Sequence, residues 1–125
     1  MSLDVTLYGD TTTVKCVCDC CYNEHEREET ECLFDANVTH NLNTMADKAG
    51  IYHALWRPEE IGATRAKDIT MLLEAGLADL KERPDYFKQF NPDNRWGSYD
   101  GFVLWVENYY IACVAHPEAT ISISR

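Results

Sequence analysis

The chain has 125 residues, 46% of them hydrophobic, and a formal net charge of −10. That length makes one domain with a single hydrophobic core. The charge argues against nucleic-acid binding, which draws on Lys and Arg to displace counterions from phosphate. No stretch approaches the roughly 18 apolar residues of a membrane span. The opening Met1-Ser2-Leu3-Asp4 lacks the charged-then-apolar pattern of a secretory signal, so a cytoplasmic location is expected.

The first third reads as strand. Leu3, Val5 and Leu7 alternate with polar residues, the period of a half-buried strand. "GDTT" reads as a turn. "TVKCVC" alternates again, and "DCCYN" reads as a hairpin loop. The segment from Glu24 to Val38 returns as a second arm. It begins polar on both faces and ends with Cys32, Phe34, Ala36 and Val38 pointing one way.

At Thr39 the period changes from strand to helix. Leu42, Met45, Ala46 and Ala49 form one stripe, Thr39 or Asn41 can cap it, and Gly50 sits where a left-handed residue ends a helix. "IYHALW" reads as an apolar connector, and "RPEEIG" as a short helix with Pro58 at its first position. A longer helix starts at Thr64, with Ala66, Ile69, Leu73, Leu77 and Leu80 at helical spacing, and ends before Pro84. "PDYFKQF" adds a turn or two, and "NPDNRWGS" reads as a loop. Ser98 caps a last long helix that turns Phe102, Trp105, Val106, Tyr109 and Cys113 inward. "TISIS" alternates as a final strand.

This order predicts an α+β fold: a small, mostly antiparallel sheet of N-terminal strands plus a C-terminal strand, with about three main helices on one face. The single domain divides into a hairpin region (1–38), a helical region (39–116) and a final strand (119–124).

Five of the six cysteines lie between Lys15 and Cys32. Cys18 and Cys21 form a C-x-x-C at the hairpin tip, the spacing at which two thiolates meet one tetrahedral zinc ion. Cys16, His25 and Cys32 are the local candidates to complete a structural zinc site. The second half of a zinc motif is absent, so a plain thiol-bearing hairpin and a redox or disulfide pair stand as alternatives. The glutamates from Glu24 to Glu31 read as a solvated strand face, or as an acidic surface for a basic host factor.

The strand-to-helix junction is the better functional candidate. It gathers Asn37, Thr39, His40 and Asn41 where helix N–H groups are free, and the His40 imidazole is a group that can act as acid, base or ligand donor. Trp56 and Arg57 in "ALWRPEE", and Asn94, Trp96 and Tyr99 in "NPDNRWGSYDG", are the planar and polar groups that line pockets. The expectation is a non-catalytic site for a small ligand or protein partner built from these residues. A small hydrolase or transferase, with His40 as general base helped by Glu59 or Glu60, is the alternative.

"NVTHNLNTMADKAGIYHALWRPEEIG", "FNPDNRWGSYDGFVLWVENYY" and the ending "SR" resemble a group of small phage- and prophage-encoded proteins, over about Asn37 to Arg125. The group also carries a C-x-x-C matching Cys18 and Cys21. The resemblance implies a bacterial or phage-infected cytoplasm and an accessory role, and it assigns no catalytic residue.

Overall fold

The computed structural model describes residues 2–17, 24–92 and 97–125, with the side chains of 10–30 outside that description. Among these residues three strands form one antiparallel sheet in the order β2-β1-β3: β1 is Ser2–Val17, β2 is Glu24–Thr39 and β3 is Thr120–Ser124. Among the described residues, five α-helices lie between β2 and β3. They are α1 (Asn43–Lys48), α2 (Tyr52–Trp56), α3 (Ala66–Glu82), α4 (Pro84–Lys88) and α5 (Tyr99–Ala115). The expected α+β fold is the observed one, with the C-terminal strand beside β1 as read from the sequence.

The period-2 pattern decides which face of the sheet is buried. Leu3, Val5 and Leu7 are fully buried. They stand opposite Val38, Ala36 and Phe34 on β2, and Val5 and Leu7 also stand opposite Ile123 and Ile121 on β3. Asp4, Asp35, Asn37 and Ser122 fall on the other face and are exposed.

"GDTT" is not a turn. The strand runs through it, and the irregularity is absorbed in pairing instead. Leu33 is an extra residue on β2 between the Leu7–Phe34 and Tyr8–Cys32 pairs. Gly9 and Asp10 then face Glu31 alone, and pairing resumes in its original register. The two offsets cancel, which matters because a net slip of one residue would turn every later side chain to the wrong face. A side chain on Gly9 would press on Leu33, with a β-carbon 3.3 Å from Leu33 Cδ1. The extra Leu33 also corrects the expected alternation. Cys32 pairs with Tyr8 and is exposed, instead of packing beside Phe34.

Thr39 ends β2 and accepts a hydrogen bond from the Asn41 N–H (3.3 Å) through its hydroxyl. A single 3-10 turn (His40–Leu42) leads into α1, and Gly50 at φ 77° closes it. "IYHALW" is helical, not a plain connector: α2 buries Ala54, Leu55 and Trp56. Pro58 opens a second 3-10 turn, Pro58–Ile61, as its fixed φ favours.

The predicted stripe of α3 is buried from Ala66 to Leu80. Its first-turn N–H groups need partners from outside the helix. Ala66 N donates to Ala119 O and Lys67 N to Pro117 O, both at 2.9 Å, while Ile121 N donates to Thr64 O (3.0 Å). These bonds stitch the start of α3 to the α5–β3 connection. Ser98 caps α5 by accepting from Gly101 N (3.2 Å), and α3 packs along α5, the two helices burying Leu73, Leu77, Phe102 and Val106 in the common core.

Candidate functional site

The strand-to-helix junction and α2 meet at Trp56. Its indole N–H donates to His40 Nδ1 at 2.8 Å, and its ring stacks on Tyr52 with centroids 5.7 Å apart. Arg57 Nε donates to the Tyr52 hydroxyl (3.1 Å), and Arg57 Nη1 lies 3.3 Å from a Glu60 carboxylate oxygen. From the far end of the chain, Arg125 Nη1 donates to Trp56 O and to Glu59 Oε1, each at 2.7 Å. One polar cluster therefore ties the start of α1, the end of α2, the Pro58 turn and the end of β3 together.

The indole nitrogen is a donor only. His40 must therefore offer a lone pair at Nδ1, and its ring proton sits on Nε2. In this tautomer His40 can donate from Nε2 but has no free lone pair with which to take a proton from a substrate. The carboxylates expected to help it are engaged elsewhere. Glu59 is held by Arg125, whose guanidinium lowers the Glu59 carboxyl below its usual range. Glu60 pairs with Arg57.

The other expected site residues fall in different places. Asn37 lies on the outer face of the sheet, where its amide donates to Ser2 Oγ (2.9 Å) and Asp4 Oδ1 (2.6 Å). The pleat turns it away from the core side on which Trp56 is buried. Thr39 acts as a cap, and Asn41 is exposed at the first turn. Tyr99 is part of the α3–α5 interface, where its hydroxyl donates to Leu80 O (2.7 Å) and burial raises its pKa. Asn94 and Trp96 lie outside the described residues. Gly97, at φ 97°, approaches the junction closely: a β-carbon there would come within 2.7 Å of Thr39 Cγ2. The tryptophan loop thus touches the junction at Gly97, whereas Tyr99 points its hydroxyl elsewhere.

The cluster borders a cleft of about 490 Å³. Pro58, Ala63, Ile121 and Ile123 supply apolar lining, Thr64 and Thr120 add hydroxyls, and the bonded Arg125 and Glu59 add a charged pair. Arg125, Thr64 and Thr120 were not among the residues singled out from sequence. They come from two separated segments, the stretch leading into α3 and the stretch of β3 with Arg125, brought together by the bond from Ile121 N to Thr64 O.

The hairpin cysteines separate by register. Cys16 pairs with His25, while Cys32 pairs with Tyr8, eight positions back along β1 and on the order of 26 Å away at about 3.3 Å per residue. Cys32 is thus too far from Cys16 to share an ion with it. Cys18 and Cys21 lie outside the described residues, as do the side chains of Cys16, His25 and the glutamates before Glu31. Among the described residues no group of three His, Cys, Asp or Glu side chains is placed to hold a metal. No described helix is long and apolar enough to cross a membrane.

No family model, curated protein or solved structure matches this chain.

Proposed function

We propose that the chain is a non-catalytic binding domain for a small amphipathic ligand, with an apolar body and a terminal carboxylate, seated in the cleft between the Pro58 turn and β3. The observation that carries this reading is the cleft itself: about 490 Å³, lined by Pro58, Ala63, Ile121 and Ile123 and bordered by the Arg125 guanidinium. That volume falls within the common range for small-molecule sites, which set a few polar groups in a mainly apolar lining. Only Arg125 Nη1 is bonded among the described residues, so further N–H donors of the fork remain for a carboxylate. A role without chemistry is supported by the tautomer of His40 and by the pairing of Glu59 and Glu60 with arginines. A small accessory domain also agrees with the resemblance to phage and prophage proteins.

Thermal denaturation with hexanoate and benzoate, against acetate as control, tests the reading. Both should raise Tm more than acetate, and Arg125→Ala should remove the difference. Glu59→Gln, which withdraws the competing carboxylate, should enlarge it. An unchanged Tm, or a gain that survives Arg125→Ala, would count against the proposal.

A further inference from the structure

A different surface points to a second copy of the chain. β2 is an edge strand of 16 residues, and no described strand pairs on its outer side. It contains no proline, so its outward N–H and C=O groups form an unblunted template for pairing. Beside its last third runs α5, which is apolar almost all round. Phe102, Val106, Tyr109 and Cys113 face the core, yet Leu104, Ile111 and Val114 on the opposite side are each more than half exposed. A helix with apolar residues on both sides is usually covered on both.

The two features are one surface. A groove of about 430 Å³ runs between Phe34 and Ala36 on β2 and Trp105, Ile111 and Ala112 on α5. The Trp105 indole N–H at this wall is buried without an acceptor among the described residues. In a chain of net charge −10, the charged groups here are few. Asp35 lines the groove, and Glu107 on α5 is paired with Lys81 at 3.2 Å.

We infer that β2 and the outward face of α5 pair with the same elements of a second copy about a two-fold axis, joining two three-stranded sheets into one of six. Area favours this occupant over a single peptide strand. α5 is about 25 Å long at about 1.5 Å per residue, and a helix layer with its sheet layer is roughly 20 Å deep, giving a face of roughly 500 Å². That approaches the low end of stable interfaces, about 600 Å² per partner, so the dimer is weak and reversible. A lone strand in the groove would cover only part of it and leave Leu104 and Val114 in water.

Charge fixes which part of β2 is used. Glu24, Glu26, Glu28, Glu29 and Glu31 crowd its first half. Antiparallel self-pairing centred there would oppose like charges, which destabilises a sheet. Centring it near Ala36 joins the segment from Leu33 to Thr39 and keeps the acidic arms apart. Asn108, on the same face of α5, carries an amide that is both donor and acceptor and so suits contact with itself. Two chains of charge −10 still repel, so added salt should strengthen the pairing.

Sedimentation equilibrium of the full chain, near 10 μM and near 500 μM, reads the outcome on a micromolar scale of affinity. The expected result is a shift from one to two chain masses with concentration, occurring at lower concentration when salt is raised. Ile111→Glu should keep the chain monomeric with an unchanged circular dichroism spectrum. Met71→Glu, at an 81% exposed position on α3, should have no effect on the pairing. A chain monomeric at every concentration and salt would overturn the inference. So would a dimer that survives Ile111→Glu, or one that salt dissociates. Protection of the β2 amides appearing only when a different protein is supplied would assign the face to that partner and overturn it as well.

Discussion

Replacing Trp56 with phenylalanine removes one hydrogen-bond donor and leaves an aromatic ring in the core. In the native chain the buried indole donates to His40 Nδ1 at 2.8 Å. The variant leaves that half-buried acceptor without a partner, at about 1 kcal/mol. The smaller ring leaves a void that costs a further ~1–2 kcal/mol. A domain of this size loses about 3–6 °C of Tm per kcal/mol, so a drop of about 10 °C is expected. The more specific readout is the imidazole. Long-range ¹H–¹⁵N spectra of the neutral native protein should show the His40 proton on Nε2. In Trp56→Phe the ring nitrogen shifts should move toward a mixture of tautomers, because nothing selects one. A native His40 with its proton on Nδ1, or ring shifts identical in the two proteins, would refute the hydrogen bond. It would also restore His40 as a candidate base.

Gly76→Ala in the middle of α3 would ordinarily gain up to about 1 kcal/mol. Here a β-carbon would run into Ile51 Cγ2 and lie 3.3 Å from Ala49 O. Overpacking of this kind costs about 1–3 kcal/mol, so Tm should fall, and the same change should be neutral or stabilising in an Ile51→Ala background. Asp68 accepts from the N–H groups of Arg65 and Thr64, and these bonds lower its carboxyl pKa. A depressed folded pKa gives stability above the unfolded value of about 3.9 that is lost as pH falls through the folded one. Asp68→Ala should therefore lower Tm at neutral pH, and the two melting curves should converge in acid. Burial pushes the Cys113 thiol up to about 12, so iodoacetamide should leave its peptide unmodified in the native protein while labelling exposed Cys32. Both should react in guanidinium, read by peptide mass spectrometry.

The long periodic elements were legible because each needed only its own segment. The stripes of α3 and α5, the alternation of Leu3, Val5 and Leu7, and the caps at Thr39, Gly50 and Ser98 are all local patterns. "GDTT" misled because two turn-forming residues also suit a bulge, and the choice between them was set by β2 opposite. The separate bulge at Leu33 on β2 moved Cys32 from the packed face to the solvent face. At the site, Trp56 and Arg57 were found because aromatic and basic residues at element ends draw attention in sequence. Arg125 was not, since its role depends on β3 lying beside the Pro58 turn. That contact joins positions 66 residues apart in the chain, and no local signal announces it. Tyr99 looked like pocket material by composition, but the helix phase turned its hydroxyl to Leu80 O.

The proposal of a carboxylate-binding cleft is tested most directly by titrating ¹⁵N-labelled protein with hexanoate and following each amide. Saturable shifts are predicted at Ala63, Thr64, Ile121 and Ile123 and at the Arg125 Nε–H, all reporting one dissociation constant. Absence of saturation at these positions, or saturation confined to the groove by Trp105, would contradict it.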